Sequence, residues 1–159
     1  MPTYNIQSTQ SLVRLFSTLP PVNSLRGVYQ PELPGLRFLV PFKWLFLRLT
    51  GLPGWKGKQF MGDYALNLIT RSNTVVSGPR MNLSIRPSRV DRKAGLVATY
   101  NRDAPFMWRH CTDEFRQLDD NTILGMSHFD VIGMRSMKVM FLLHHAPDHP
   151  GLSTNPVSQ

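Results

Sequence analysis

The fold is decided by the stretch MNLSIRPSRVDRKAGLVATY, which occupies positions 81–100. Within it, apolar side chains recur at every second position in two runs, Met81, Leu83 and Ile85 and then Leu96, Ala98 and Tyr100. A period of two is typical of a β-strand with one buried face, because successive side chains point to opposite sides. Lys93, Ala94 and Gly95 between the runs favour a turn. The stretch therefore predicts two neighbouring strands.

The residues that follow predict a second pair of strands. Phe106–Leu118 reads as one long strand and Ile123–Phe129 as its antiparallel return. Asp119–Thr122 has the Asp and Asn residues that favour a tight turn between them. The apolar residues of Met134–His144 do not decide between a last strand and a helix.

Turn residues also divide the part of the chain that precedes position 81. The pattern predicts turns at Ser72-Asn73 and at Ser77-Gly78-Pro79, and Leu66 and Leu68 indicate a strand before them. Short strands joined by tight turns favour an antiparallel meander that curls into a barrel. We therefore predict a mostly β fold, a small antiparallel barrel.

An amphipathic helix is predicted near the N-terminus. Apolar residues stand at spacings i, i+3, i+4 and i+7, at Leu12, Leu15, Phe16 and Leu19. This spacing places them on one face of a helix, which Pro20 and Pro21 end. We expect that face to pack against the rest of the fold.

The most apolar part of the chain is LRFLVPFKWLFLRLTGL, residues 36–52. Pro41 suits the first turn of a helix and Gly51 its end, which predicts a second helix near Pro41–Thr50. The segment is too short and too polar to span a bilayer. Either the helix is buried, or it lies in a membrane surface and docks the protein through residues 36–58. Because it lacks a clean polar face, we favour burial.

The composition is that of a basic chain of one domain's length. The 159 residues include 18 lysines and arginines against 10 acids, a formal net charge of +8. A chain of this length buries a core without disulfides, and the single cysteine, Cys111, excludes an internal one. We expect one barrel domain over residues 1–146 and a polar, flexible tail over residues 147–159. With no continuous apolar signal segment near Met1, we expect a cytoplasmic protein.

Charge and motifs argue against several classes of partner. The basic residues favour acidic partners, but they are spread singly and carry no nucleic-acid-binding signature, so we expect no nucleic acid. His145 and His149 have the spacing of a helical metal pair, but Pro147 breaks such a helix. No phosphate-binding loop or nucleophile motif occurs. We therefore expect no metal and no other cofactor.

Several segments resemble the bacterial GXWXG-type domain family and the domain of unknown function that follows it. They are, in chain order, LVRLFSTLPPV at 12–22, the Gly-x-aromatic step at 27–29, GWKGKQF at 54–60 and DEFRQLDDNTILGM at 113–126. Where the family has Gly-x-Trp-x-Gly, this chain has Gly27-Val28-Tyr29-Gln30-Pro31. The resemblance implies a small lipocalin-like (calycin) barrel and implies no catalytic residues.

Six residues are candidates for the wall of a ligand cavity: Arg116, Arg86, His110, Glu114, Tyr100 and Trp108. On the predicted strand Phe106–Leu118, the even-numbered positions from 108 to 116 share one face, which mixes polar and apolar residues. Two explanations stay open. One is that this face lines a partly polar cavity. The other is a cross-strand ion pair near the barrel rim, such as Glu114 or Asp113 with Arg116 or Arg86.

These residues define the predicted function. An inward arginine, Arg116 or Arg86, would hold a carboxylate through two hydrogen bonds. We predict non-enzymatic binding of a small hydrophobic molecule, with or without a carboxylate, in the barrel cavity. One alternative is a small barrel enzyme that acts on such a molecule with His110, Glu114 and Tyr100 as acid–base groups. The other is the membrane-docked protein described above.

Overall fold

Eight antiparallel strands, each paired with the next along the chain, form a barrel that closes where the first strand pairs with the eighth. The computed structural model describes residues 9–34, 54–135 and 138–147. The strands are β1 (Arg26–Glu32), β2 (Trp55–Met61), β3 (Tyr64–Arg71), β4 (Thr74–Pro87), β5 (Ala94–Tyr100), β6 (Cys111–Asp119), β7 (Thr122–Phe129) and β8 (Lys138–His145). The helices are α1 (Thr9–Thr18) and α2 (Phe106–Arg109). The predicted antiparallel barrel with an N-terminal helix is confirmed.

The two ends of the barrel are built differently. At the end where β1 begins, residues 20–25 lie across the opening. The backbone N–H of Leu96 donates to Val22 O at 2.6 Å, and that of Gln117 donates to Pro20 O at 3.1 Å. The side chains of Val22 and Leu25 join the interior core. We call this the plugged end, and we call the opposite end, where β5 runs into α2, the loop end.

The helix α1 packs on the outer wall of the barrel. Leu12 and Phe16 are buried there against the outward side chains of β7 and β8, which are Leu124, Met126, Met140 and Leu142. The interior core is a separate cluster. The wall formed by β7 and β8 is therefore buried on both faces, although only one face lies inside the barrel.

The predicted strand over Phe106–Leu118 is wrong in its first part. Phe106–Arg109 form α2 instead, because the backbone N–H groups of Trp108 and Arg109 both donate to Pro105 O, at 2.8 and 3.2 Å. Proline before a helical turn has a backbone φ already suited to it. Strand geometry begins only at Cys111. The undecided segment after position 134 is a strand, from Lys138 onward.

Of the two turns predicted before position 81, one is confirmed and one is wrong. Ser72 and Asn73 adopt left-handed φ angles of 47° and 63°, as a two-residue hairpin turn requires. Gly78 and Pro79 instead lie inside β4, opposite Asn67 alone, because the β3–β4 register shifts between Leu66 and Leu68. A bulge tolerates a proline that cannot donate to the ladder.

Some predictions fall outside the described residues. These are the helix near Pro41–Thr50, most of the membrane-docking segment 36–58, and the tail beyond residue 147. Within the described part of the chain, none of the helices is long and apolar enough to cross a bilayer.

Candidate functional site

Among the described residues, one group of polar side chains lies within the apolar interior of the barrel, in its loop-end half. We call this group the inner cluster; it consists of Lys58, Asn67, Tyr100, Asp113 and Ser127, contributed by β2, β3, β5, β6 and β7. All five are buried. Aromatic and aliphatic side chains surround them, among them Phe60, Phe115, Phe129 and Phe141. A few polar groups within an apolar interior are the common arrangement of a small-molecule site.

Lys58 occupies the centre of the inner cluster. Its Nζ lies 2.9 Å from Asp113 Oδ2 and donates to Asn67 Oδ1 at 3.1 Å. Tyr100 Oη and Met81 Sδ each lie 3.3 Å from the same nitrogen. The side chains of Lys58 and Asp113 are only 2% and 1% exposed. A buried lysine persists only when it is paired and hydrogen-bonded, and here both conditions are met.

A bulge at the start of β2 turns Lys58 inward. The β2–β3 register shifts between Trp55 and Gly57, which adds one residue to β2 and changes the phase of its alternation. Gly57 adopts φ +143°, and a Cβ on it would lie 2.0 Å from Tyr29 O on β1. The site therefore needs glycine at position 57, because no other residue allows β1 and β2 to approach this closely.

The second oxygen of the Asp113 carboxylate is also occupied. Oδ1 accepts a hydrogen bond from Ser127 Oγ at 2.6 Å and lies 3.4 Å from Cys111 Sγ. Burial, with the neighbouring Asp113 carboxylate adding to it, raises the pKa of the Cys111 thiol well above its ordinary value. The thiol therefore stays protonated and unreactive at neutral pH.

Tyr100 is fixed in the same way. Its hydroxyl lies against Lys58 and accepts a hydrogen bond from Asn67 Nδ2 at 3.1 Å. Burial is the main cause that raises the pKa of this phenol well above its ordinary value, and Asp113 raises it further. Tyr100 is therefore a neutral hydrogen-bonding group rather than a phenolate.

Trp108 is placed beside the inner cluster by α2. Its ring centroid lies 5.2 Å from that of Tyr100 and 6.2 Å from that of Phe129, and the residue is 7% exposed. Its indole Nε1–H is buried and has no hydrogen-bond partner among the described residues. By contrast, Trp55 donates its Nε1–H to Gly57 O at 2.8 Å. Trp108 therefore places in the barrel interior an N–H group that no described residue accepts.

The two charged candidates on β6 face away from the barrel interior, which we call the chamber. Alternation along the strand points Asp113 and Phe115 inward, so Glu114 and Arg116 point outward. Arg116 Nη2 donates to Asp91 Oδ1 at 2.9 Å, and its guanidinium lies over the Phe16 ring of α1. The expected inward arginine is therefore wrong for Arg116, because α1 buries this position from outside the barrel.

Glu114 holds the connection between β4 and β5. This connection, residues 88–93, folds back over the outer wall, and we call it the strap. Glu114 Oε2 accepts a hydrogen bond from Ser88 Oγ at 2.5 Å, and Oε1 accepts one from the backbone N–H of Arg89 at 2.9 Å. His128 Nε2 lies 3.3 Å from Oε1. The predicted pairing of Glu114 or Asp113 with Arg116 or Arg86 does not occur.

The last two predicted residues are remote from the inner cluster. Arg86 is exposed and lines a groove of about 310 Å³ on the outer wall beside the strap, together with Arg89, Arg92 and Glu114. His110 is half-buried after α2, and its ring contacts that of Phe106 at a tilt of 60°, with centroids 4.9 Å apart. No contact in the described structure joins His110, Glu114 and Tyr100, so the alternative acid–base set is not assembled.

Of the six candidates, only Tyr100 and Trp108 contact each other within the chamber. Four members of the inner cluster were not among the six candidates: Lys58, Asn67, Asp113 and Ser127. A signal for Asp113 existed: it stands between Cys111 and Phe115 on the more apolar face of β6, where a charge needs a buried partner. Nothing comparable marked Lys58, because the bulge before it is not visible in the alternation.

Acidic, histidine and cysteine side chains do not form a metal-binding group in the part of the chain that the structure describes. No three or more of them are arranged to hold an ion there. The chemistry that this site offers is hydrogen bonding and apolar contact.

A solved structure that the barrel resembles is the crystal structure of a protein from Thermomonospora curvata. The two align with a TM-score of 0.67 over 87% of this chain and 88% of that one, with 17% sequence identity. At this identity, the likeness shows the fold alone. No protein-family model and no curated protein matches the sequence. The resemblance to the GXWXG-type family therefore stays a prediction.

Proposed function

We propose that the barrel binds a small, largely apolar molecule in its interior and that an acceptor atom of this molecule receives the Trp108 Nε1–H hydrogen bond. The observation that carries the proposal is the buried indole N–H with no partner among the described residues. A donor left unpaired in an apolar interior costs about 1–3 kcal/mol, and a bound acceptor removes that cost.

The surroundings of Trp108 fit such a ligand. Tyr100 and Phe129 give aromatic contact on two sides of the indole. Eight-stranded barrels have an interior that side chains fill or that holds one small ligand. An apolar chamber with a few fixed polar groups selects a molecule by its shape and by the position of its acceptor.

Binding without catalysis is favoured by the state of the reactive groups. The Lys58 ammonium is paired with Asp113, and raised pKa values keep the Cys111 thiol and the Tyr100 phenol protonated. A general acid or base needs a pKa near the working pH, and a nucleophile needs an unprotonated form. The chamber is therefore suited to hold a molecule rather than to transform it.

The test is saturable binding of Nile red, a neutral apolar dye with a carbonyl acceptor, followed by its fluorescence. We expect saturation in the wild type and an about three- to tenfold weaker affinity in Trp108→Phe, which keeps an aromatic ring and removes the N–H. Trp55→Phe is the matched control, since that N–H is already used by Gly57. Because that donor is not available to a ligand, the loss of affinity should be smaller than in Trp108→Phe.

Two results would contradict the proposal. If neither Nile red nor long-chain esters, alcohols and acids bind saturably to the wild type, the barrel is not a binding chamber. If Trp108→Phe binds the dye as tightly as the wild type, the Trp108 donor does not hold the ligand. Circular dichroism of both variants checks that the barrel is intact.

A further inference from the structure

The inner cluster also bears on the charge of the ligand. We infer that the barrel selects an uncharged head group, such as an ester, ketone, amide or alcohol, over a carboxylate, and that Asp113 is the residue that sets this selectivity. This inference rests on the proposed function, and it departs from the carboxylated ligand that the sequence analysis allowed.

The Lys58 ammonium in the barrel interior already has its contacts filled. The Lys58 ammonium has three N–H donors, and four acceptor atoms lie within 2.9–3.3 Å of it, one each from Asp113, Asn67, Tyr100 and Met81. A ligand carboxylate could reach the ammonium only by displacing one of these contacts.

The charges of the interior also disfavour a ligand carboxylate. Lys58 and Asp113 together are neutral, and both are almost fully buried. A ligand carboxylate would place a second negative charge close to Asp113 in a medium of low dielectric constant, where like charges repel strongly. Among the described residues, Tyr29, Tyr100 and Cys111 also lie in the interior core, and they are uncharged, since burial raises the pKa of each. The exposed His145 ring lies beside Tyr29, with the two ring centroids 5.1 Å apart.

The two arginines that were expected to hold a carboxylate lie outside the barrel. Arg116 is bound to Asp91 on the outer wall, and Arg86 is exposed beside the strap. Neither guanidinium faces the inner cluster. Among the described residues, the cationic side chain buried with the interior core is Lys58, which Asp113 neutralises.

Removal of the Asp113 charge should reverse the selectivity. Asp113→Asn keeps the shape of the side chain and leaves the Lys58 ammonium without its counter-ion. A ligand carboxylate then becomes that counter-ion, through a charge-assisted hydrogen bond. A residue with a purely structural role would weaken the binding of acid and ester alike, so the ratio of the two affinities reports on charge selection.

The experiment compares laurate with methyl laurate as competitors of Nile red at pH 7.5. In the wild type, we expect the ester to bind at least about tenfold more tightly than the acid. In Asp113→Asn, we expect the ratio to fall to one or to invert. A wild type that binds laurate as tightly as the ester overturns the inference while the proposed function stands, and failure of all three probes to bind contradicts the proposed function itself.

A second measurement does not depend on the stability of the variant. As the pH falls from 8 to 5, a growing fraction of laurate is protonated, because carboxyl groups titrate near pH 4–5. The affinity of the wild type for laurate should therefore rise, while its affinity for methyl laurate stays flat. A laurate affinity that does not change relative to that of the ester overturns the inference, as does an unchanged ratio in Asp113→Asn.

Discussion

Asp113 and Glu114 are neighbours on β6, and each is 1% exposed, yet they lie on opposite sides of the barrel wall. Asp113 faces inward and neutralises Lys58 within the barrel interior. Glu114 faces outward and holds Ser88 and Arg89 of the strap. Equal burial therefore does not mean an equal role, because the side of the wall decides which partners a carboxylate meets.

The two buried cations, Lys58 and Arg116, also lie on opposite sides of the barrel wall. Lys58 lies inside the barrel with acceptors from four strands around it. Arg116 lies outside, fixed by Asp91 of the strap and by the Phe16 ring of α1. Lys58 and Asp113 pair inside the barrel, whereas Arg116 and Asp91 hold the strap and α1 against the outer wall. Loss of the inner partners should therefore have the larger effect on stability.

The largest expected effect is that of Lys58→Met. Methionine fills a similar volume but leaves the Asp113 carboxylate buried without a counter-ion, and breaking a buried pair in this way costs about 3–5 kcal/mol. We expect the free energy of unfolding, measured by urea denaturation followed by circular dichroism, to fall by that amount.

The matched control is the double variant Lys58→Met/Asp113→Asn. It removes the uncompensated charge as well, so it should be more stable than Lys58→Met alone, by about 1 kcal/mol or more. A double variant no more stable than the single one would show that pairing of the two charges is not what Lys58 contributes.

A smaller and more local effect is expected for Glu114→Ala. The loss of the two hydrogen bonds to the strap should lower the free energy of unfolding by about 1–3 kcal/mol. Because Arg89, Arg92 and Lys93 lie in the strap, trypsin should cut the variant there faster than it cuts the wild type. Nile red affinity should stay unchanged, since Glu114 faces away from the chamber. A loss of dye binding with an intact barrel would contradict this separation of the two faces.

Glu114 should also contribute to the response of the protein to acid. Burial alone would raise the pKa of Glu114, but hydrogen bonds involving His128, Ser88 and the Arg89 N–H outweigh it, and the pKa is lowered. A carboxyl whose pKa is lower in the folded state contributes stability above its ordinary pKa and loses it as the pH falls through the folded value.

We therefore expect the free energy of unfolding of the wild type to decline as the pH falls below about 4.5, the ordinary value for glutamate. Glu114→Gln should flatten part of that decline. The check is urea denaturation at a series of pH values between 7 and 3. An identical acid slope in the two proteins would contradict the assignment to Glu114.

The smallest effect is expected at the Arg89–Asp130 pair, which ties the strap to the end of β7. The two groups form two hydrogen bonds, at 2.9 and 2.7 Å, but they are 46% and 48% exposed. Exposed pairs contribute about 0–1 kcal/mol and are screened by salt. Asp130→Asn should lower the free energy of unfolding by less than about 1 kcal/mol, and the loss should be smaller still at 0.5 M NaCl. A larger loss would mean that this pair, rather than Glu114, holds the strap.

The sequence allowed the barrel to be predicted because its signals are local. Alternation at Met81–Tyr100, the turn at Asp119–Thr122 and the amphipathic helix at Leu12–Leu19 each depend on spacing along the chain. The two errors have different causes. Pro105, whose carbonyl accepts the first hydrogen bonds of α2, is a local signal that the alternation pattern left out. Gly78 and Pro79 stay within β4 because of a bulge opposite Asn67, which lies on the neighbouring strand.

For the candidate site, alternation sorted the residues of β6 into two faces but did not say which face is inside. Both faces are mixed and both are covered, the inner one by the core and the outer one by α1 and the strap. Because both faces are covered, the presence of a charged residue on a face did not show that this face is exposed, and the pattern did not separate Arg116 from Asp113.

By itself, then, the sequence determined the strands between Met81 and Phe129, the turns at Ser72-Asn73 and Asp119–Thr122, and the N-terminal helix, because these signals depend on the spacing of nearby residues. Only the tertiary structure decided that Lys58 and Asp113 share the chamber, because closure of the barrel brings together β2 and β6, which are not neighbours in the sheet. It also decided that Trp108, on α2 rather than on the predicted strand, lies in the interior core with an indole N–H that has no hydrogen-bond partner among the described residues. Contacts between residues 55 positions apart depend on how the wall curves, and no local pattern records that curvature.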